Sequence, residues 1–160
     1  MGKVLRGNGL WGELDGAKEE QVEVVDIKFG SIEGEITIQY TEPEIIDEIR
    51  EEYDAKLPDK PIVTVDLGNR KETIEVPSEK EKYEAFNNHP EAKEWREKVK
   101  PINKERLARI AYEFIIDDEK PSDDVQEGVE ILQHRLRLPD LNKIVSAGME
   151  LIGFSSNLKN

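Results

Sequence analysis

The sequence predicts an α+β fold in which N-terminal β-hairpins form a small antiparallel sheet and a C-terminal helical bundle follows. Two observations carry this prediction. Apolar residues alternate at every second position in Val22–Tyr40 and again in Ile62–Val76, each stretch broken by a glycine turn, whereas from Ala92 onward they recur at every third or fourth position. At 160 residues the chain suits one domain. We read 1–20 as a flexible Gly-rich arm and 21–160 as a single α+β domain, β-rich over 21–77 and helical over 78–154.

In the first hairpin Val25, Ile27 and Phe29 fall on one face, and Ile36, Ile38 and Tyr40 follow beyond a Gly30–Gly34 turn. Val22 and Val24 are out of phase with Val25, which predicts a bulge or a change of face. Thr41-Glu42-Pro43-Glu44 reads as a capping box with Pro in the first helical turn. The helix it starts carries Ile45, Ile46, Ile49 and Tyr53 and ends before Pro58. Ile62–Leu67 and Arg70–Val76 form a second hairpin about Gly68-Asn69. Ser78-Glu79-Lys80-Glu81 repeats the capping signal, ahead of Tyr83 and Phe86.

Four helices are then expected. Ala92, Trp95 and Val99 mark one that Pro101 ends; Leu107, Ile110, Ala111 and Phe114 mark the next, capped by Asn103. A charged linker, Asp117–Asp124, leads to the stripe Val125, Val129, Leu132 and Leu136. Pro139 breaks the chain, Asp140 caps, and Leu141, Ile144, Val145 and Met149 form the last stripe, terminated by Gly153.

Charge narrows the function. With 36 acidic and 23 basic side chains the net charge is -13, which disfavours both nucleic acid and anionic membranes as partners. No apolar run approaches the length of a membrane span, and Met1–Leu10 lacks the apolar core of a secretory signal. The absence of cysteine fits a reducing compartment, so the cytoplasm is expected.

Catalytic motifs are weak. Gly7-Asn8-Gly9-Leu10-Trp11-Gly12 matches G-x-G-x-x-G, yet no strand precedes it and no apolar helix follows, so a Gly-rich arm explains it better than a cofactor loop. His89 and His134 have no partner at metal-ligand spacing, and the serines lack a nucleophile elbow. Asp117, Asp118, Asp123 and Asp124 lack the spacing of a calcium loop. No catalytic, cofactor or metal site is therefore assigned, and an enzyme is not expected. What remains is the end of the chain, Leu136–Phe154, where apolar groups occupy more than one helix face and Ala147-Gly148 permits close approach by another helix. A surplus of that kind serves either core packing or a helix-binding surface.

The order of elements resembles that of the tail assembly chaperones of long-tailed, siphovirus-like bacteriophages. The resemblance is carried by the acidic helix after Thr41-Glu42-Pro43-Glu44, by Glu94-Trp95 and Arg106-Leu107-Ala108, and by Leu138-Pro139-Asp140-Leu141, Ile144-Val145, Glu150-Leu151 and Gly153-Phe154. The second hairpin departs from it, since that family has a smaller β part. The resemblance implies a non-enzymatic protein that binds the tape measure protein, keeps it soluble, helps recruit the tail tube protein, and acts in the cytoplasm of the bacterial host. It also implies Ile144, Val145, Met149, Ile152 and Phe154 as client contacts, with homo-oligomer formation open. The alternative is a structural virion component, such as a tail-completion or connector protein.

Overall fold

The computed structural model describes residues 21–66, 68, 71–74 and 80–153, together with Gly7. The elements run β1 (Val22–Phe29), β2 (Ile32–Gln39), α1 (Pro43–Asp54), β3 (Val63–Asp66), β4 (Lys71–Ile74), α2 (Lys80–Asn88), α3 (Pro90–Phe114), a 3-10 turn at Asp117–Glu119, α4 (Val125–Arg135) and α5 (Leu138–Leu151). The fold is thus α+β, strands early and a helical region toward the C-terminus. The sheet component is two separate antiparallel pairs, β1–β2 and β3–β4. Within the stretch read as one domain, the described residues group into two compact units: those from 21 to Arg50 together with those from Glu105 to Gly153, and those within Glu51–Lys104.

In the first unit, β1 and β2 pair without interruption from Val22↔Gln39 to Phe29↔Ile32. No bulge occurs, contrary to the expectation from Val22 and Val24. They alternate regularly with Val25 and face outward, 54% and 52% exposed, while Val25 and Ile38 are buried on the inner face. The turn is also tighter than expected. Gly30 takes φ +61, as the first central residue of a two-residue hairpin turn requires, and Gly34 lies within β2 opposite Ile27.

Ile46 and Ile49 of α1, Ala108, Ile110, Ala111, Tyr112 and Phe114 of α3 with Ile115, Val129 and Leu132 of α4, and Leu141, Ile144 and Val145 of α5 are buried with them. A fully buried side chain of this size contributes roughly 1.5–3 kcal/mol. Thr41 is not seen in the capping box expected of it; its buried hydroxyl donates to the Glu113 carbonyl at 3.3 Å, satisfying one of the orphan acceptors at the end of α3. Beyond Phe114 the chain makes an isolated antiparallel bridge, Ile38↔Ile115, and the Ile116 N–H donates to the Thr37 carbonyl at 3.1 Å. Asp124 caps α4 by accepting from the Glu127 N–H at 2.9 Å.

The second unit has its own small core of Val63, Val65, Ile74, Phe86 and Ala92, with Ala85 packed against it. Trp95 Nε1 donates to the Pro58 carbonyl at 3.1 Å, and Lys60 lies over the Phe86 and Trp95 rings. His89 accepts from the Glu91 N–H through Nδ1 at 3.2 Å, a cap at the start of α3.

The two helices expected on either side of Pro101 are one, α3. Proline removes the donor for the Glu97 carbonyl, a cost of about 3 kcal/mol in a helix interior. Both residues are exposed, on the solvent side of the helix where a freed backbone carbonyl is least costly, and the helix continues. The Lys100 ammonium, 2.7 Å from Glu97, holds that carboxyl below the ordinary carboxylate range.

Candidate partner-binding surface

Helix α5 carries most of the residues singled out as client contacts. Pro139 does not break the chain there but sits in the first turn of α5, where a missing donor costs nothing. Asp140 Oδ2 accepts from the Arg137 N–H at 3.1 Å and from Arg137 Nε at 3.2 Å, closing the helix start. Gly153 ends the helix with φ +81, donating its N–H to the Glu150 carbonyl at 3.0 Å.

The stripe of α5 faces inward. Leu141 and Ile144 are fully enclosed and Val145 is buried; the helix packs on β1 and β2. Gly148 meets the ring of Phe114, so the close approach expected at Ala147-Gly148 is a contact within this unit. Ile144 and Val145 are therefore core residues here and cannot touch a client in this arrangement. The physical reason is that the sheet has one apolar face and α5 is the amphipathic element that covers it.

Met149 and Ile152 are different. Both are half-buried, as is Leu151. Met149 Sδ accepts from Arg50 Nη2 at 3.8 Å, and Ile152 follows the last turn, its N–H donating to the Gly148 carbonyl at 3.3 Å. Phe154 lies outside the described residues, as do the arm's G-x-G-x-x-G match apart from Gly7, and the Ser78-Glu79 part of the second capping signal.

Sequence reasoning did not reach a second surface, the outer edge of β1. Because the Tyr40 N–H donates to the Gln21 carbonyl at 3.0 Å, odd-numbered residues of β1 direct their backbone groups to β2 and even-numbered residues direct theirs outward. Two basic side chains of the α5 region reach this edge. Lys143 Nζ donates to the Asp26 carbonyl, and Arg137 Nη2 to the Lys28 carbonyl at 2.9 Å. Between β1 and α5 runs a groove of about 290 Å³ lined by Glu23, Val24, Val25, Asp26, Lys143, Ser146, Ala147 and Glu150.

Among the described residues no group of three or more His, Asp or Glu side chains is arranged to hold a metal ion, and no helix is long and apolar enough to cross a membrane. The Tyr112 phenol is displaced upward in pKa, by burial first and then by Asp123 and Glu113; its hydroxyl donates to the Ser122 carbonyl at 2.8 Å, which is a packing role. No protein-family model matches this chain, and neither a curated protein nor a solved structure shows significant similarity to it.

Proposed function

We propose that this protein is a non-enzymatic tail assembly chaperone of a long-tailed bacteriophage, which binds the tape measure protein, keeps it soluble and helps recruit tail tube subunits in the host cytoplasm. The observation that supports this reading is apolar surface on a strongly anionic chain. Val22 and Val24 are more than half exposed, Met149, Leu151 and Ile152 are half-buried, and the net charge is -13. A client rich in apolar helices gains by burying side chains on such a surface, while mutual repulsion between acidic complexes opposes their aggregation.

The client surface is narrower than the sequence implied. Ile144 and Val145 support it from behind, and of the described residues implied as contacts Met149 and Ile152 are the two with area left to give. Co-expression with the tape measure protein tests the proposal: the client remains soluble with this chain and precipitates without it. Met149→Asp reduces that rescue while leaving the circular dichroism spectrum intact; a melted fold assigns Met149 to the core instead. Failure to rescue a well-expressed client removes the proposal, and stoichiometric presence in purified virions replaces it with the structural-component reading.

A further inference from the structure

The two outer edges of the first hairpin are treated differently. On β2 the outward groups of Thr37 are taken: its carbonyl accepts from the Ile116 N–H at 3.1 Å and its N–H donates to Glu119 Oε1 at 2.7 Å. On β1 the carbonyls of Asp26 and Lys28 are covered by Lys143 and Arg137, but the outward N–H and C=O groups of Val22 and Val24 have no hydrogen-bond partner among the described residues. An unpaired strand edge is a template for another strand. Here the edge opens onto the groove between β1 and α5, where Ser146 and Ala147 leave room because their side chains are small.

From this geometry we infer that the Val22–Asp26 edge of β1 is a docking site for an extended, basic peptide segment of a partner protein, which adds as a third strand and lies along α5. Charge selects the occupant. Glu23, Asp26 and Glu150 line the groove against the single base Lys143, whose ammonium is already on the Asp26 carbonyl. On the outer face Asp26 stands directly opposite Glu35, which continues the acidic surface, while the neighbouring Glu33 is paired with Lys28 at 3.5 Å. Alternation fixes the pattern of the guest. Every second side chain turns toward α5, where Lys or Arg meets Glu23 and Glu150; the others turn outward, where apolar groups lie beside Val22 and Val24. Main-chain bonds to Val22 and Val24 supply register, and the exposed valines supply apolar area. The inference shares Val22 and Val24 with the chaperone reading but does not rest on it, because it concerns an extended guest held by main-chain bonds to the strand edge and not a helical client.

The test uses the full chain and a fluorescein-labelled peptide of about eight residues with alternating Lys and Val, followed by fluorescence anisotropy at about physiological salt. Two control peptides accompany it: one with Glu for Lys, and one N-methylated at alternate amides so that one edge cannot donate. Saturable binding of the Lys-Val peptide is expected, with each control at least about tenfold weaker, equivalent to about 1.4 kcal/mol. Val24→Pro removes an outward donor without touching the β1–β2 ladder and weakens binding by about tenfold or more. Ser146→Trp, at an exposed position on α5, fills the groove and has the same effect should the proline variant unfold. The inference is overturned if the N-methylated peptide binds as tightly as its parent, if a folded Val24→Pro or Ser146→Trp binds like the wild type, or if no binding is seen. A concentration-dependent dimer in sedimentation that Val24→Pro dissolves also overturns it, since the occupant is then a second copy of this chain.

Discussion

Gly148→Ala tests whether α5 is pinned against α3 as described. A Cβ at position 148 stands 2.4 Å from Cγ and Cδ2 of Phe114 and 2.5 Å from its Cδ1, whereas carbon atoms in contact settle at about 3.5–4.0 Å. The ring must therefore retreat by about 1 Å, and it is fully buried, so no swing into solvent relieves the clash. Overpacking of this kind costs about 1–3 kcal/mol, while replacing a glycine inside a helix returns up to about 1 kcal/mol. The expected balance is a loss of about 1–2 kcal/mol, read as a lower urea midpoint by far-ultraviolet circular dichroism and as faster amide exchange across α5. Combining Gly148→Ala with Phe114→Leu gives the methyl group space, so the double variant should be more stable than the sum of the single losses by about 1 kcal/mol. A Gly148→Ala protein as stable as the wild type, or more so, refutes the packing of α5 on Phe114 and with it the assignment of Ile144 and Val145 to the core.

Two smaller perturbations probe the same unit. Tyr112→Phe should cost about 1 kcal/mol through the lost bond to the Ser122 carbonyl. Burial raises the phenol above its ordinary value near 10, so its contribution is complete below that pH and lost as pH rises through the native value. Alkaline urea titrations should therefore show the wild type losing stability above about pH 10 more steeply than Tyr112→Phe, and parallel curves would contradict this. Asp124→Ala should lower stability by about 0.5–2 kcal/mol through the loss of the α4 cap, with Asp124→Asn recovering most of it; equal midpoints for all three proteins would exclude the cap.

Local chemistry made much of the fold legible. Alternation located β1, β2, β3 and β4, and the stripes at helical spacing located α1, α4 and α5, because these periods follow from backbone geometry alone. The errors arose where a distant segment decides the outcome. Pro101 reads as a stop, yet it and Glu97 lie on the exposed side of α3, which runs through it. Thr41 reads as a cap, yet the end of α3 claims its hydroxyl. The Ile115 bridge to Ile38 was overlooked, although two adjacent β-branched residues directly after Phe114 are a fair sign of extended chain. For the site, the α5 stripe was visible but not its partner, because a stripe has the same spacing whether it meets its own sheet or another protein. The groove was not visible at all. Whether a strand edge is open depends on which side chains reach it, and here those come from Arg137 and Lys143, more than one hundred residues away in sequence.

The covering of β1 follows from how this unit folds. Helix α5 must lie on the apolar face of the hairpin to bury Leu141, Ile144 and Val145, and that placement brings its Lys143 and the preceding Arg137 within reach of the strand edge. Charged side chains at an edge guard against unwanted strand pairing, since a guest must displace them. They guard only the half toward the turn, because α5 has no further basic residue after Lys143: Ser146, Ala147 and Glu150 follow on the side facing the groove. The unguarded half is thus bordered by small and acidic groups. Glutamate there repels acidic segments, including those of other copies of this chain, while leaving a basic strand free to enter. The same charge distribution that opposes the pairing of two such edges favours a guest of opposite sign.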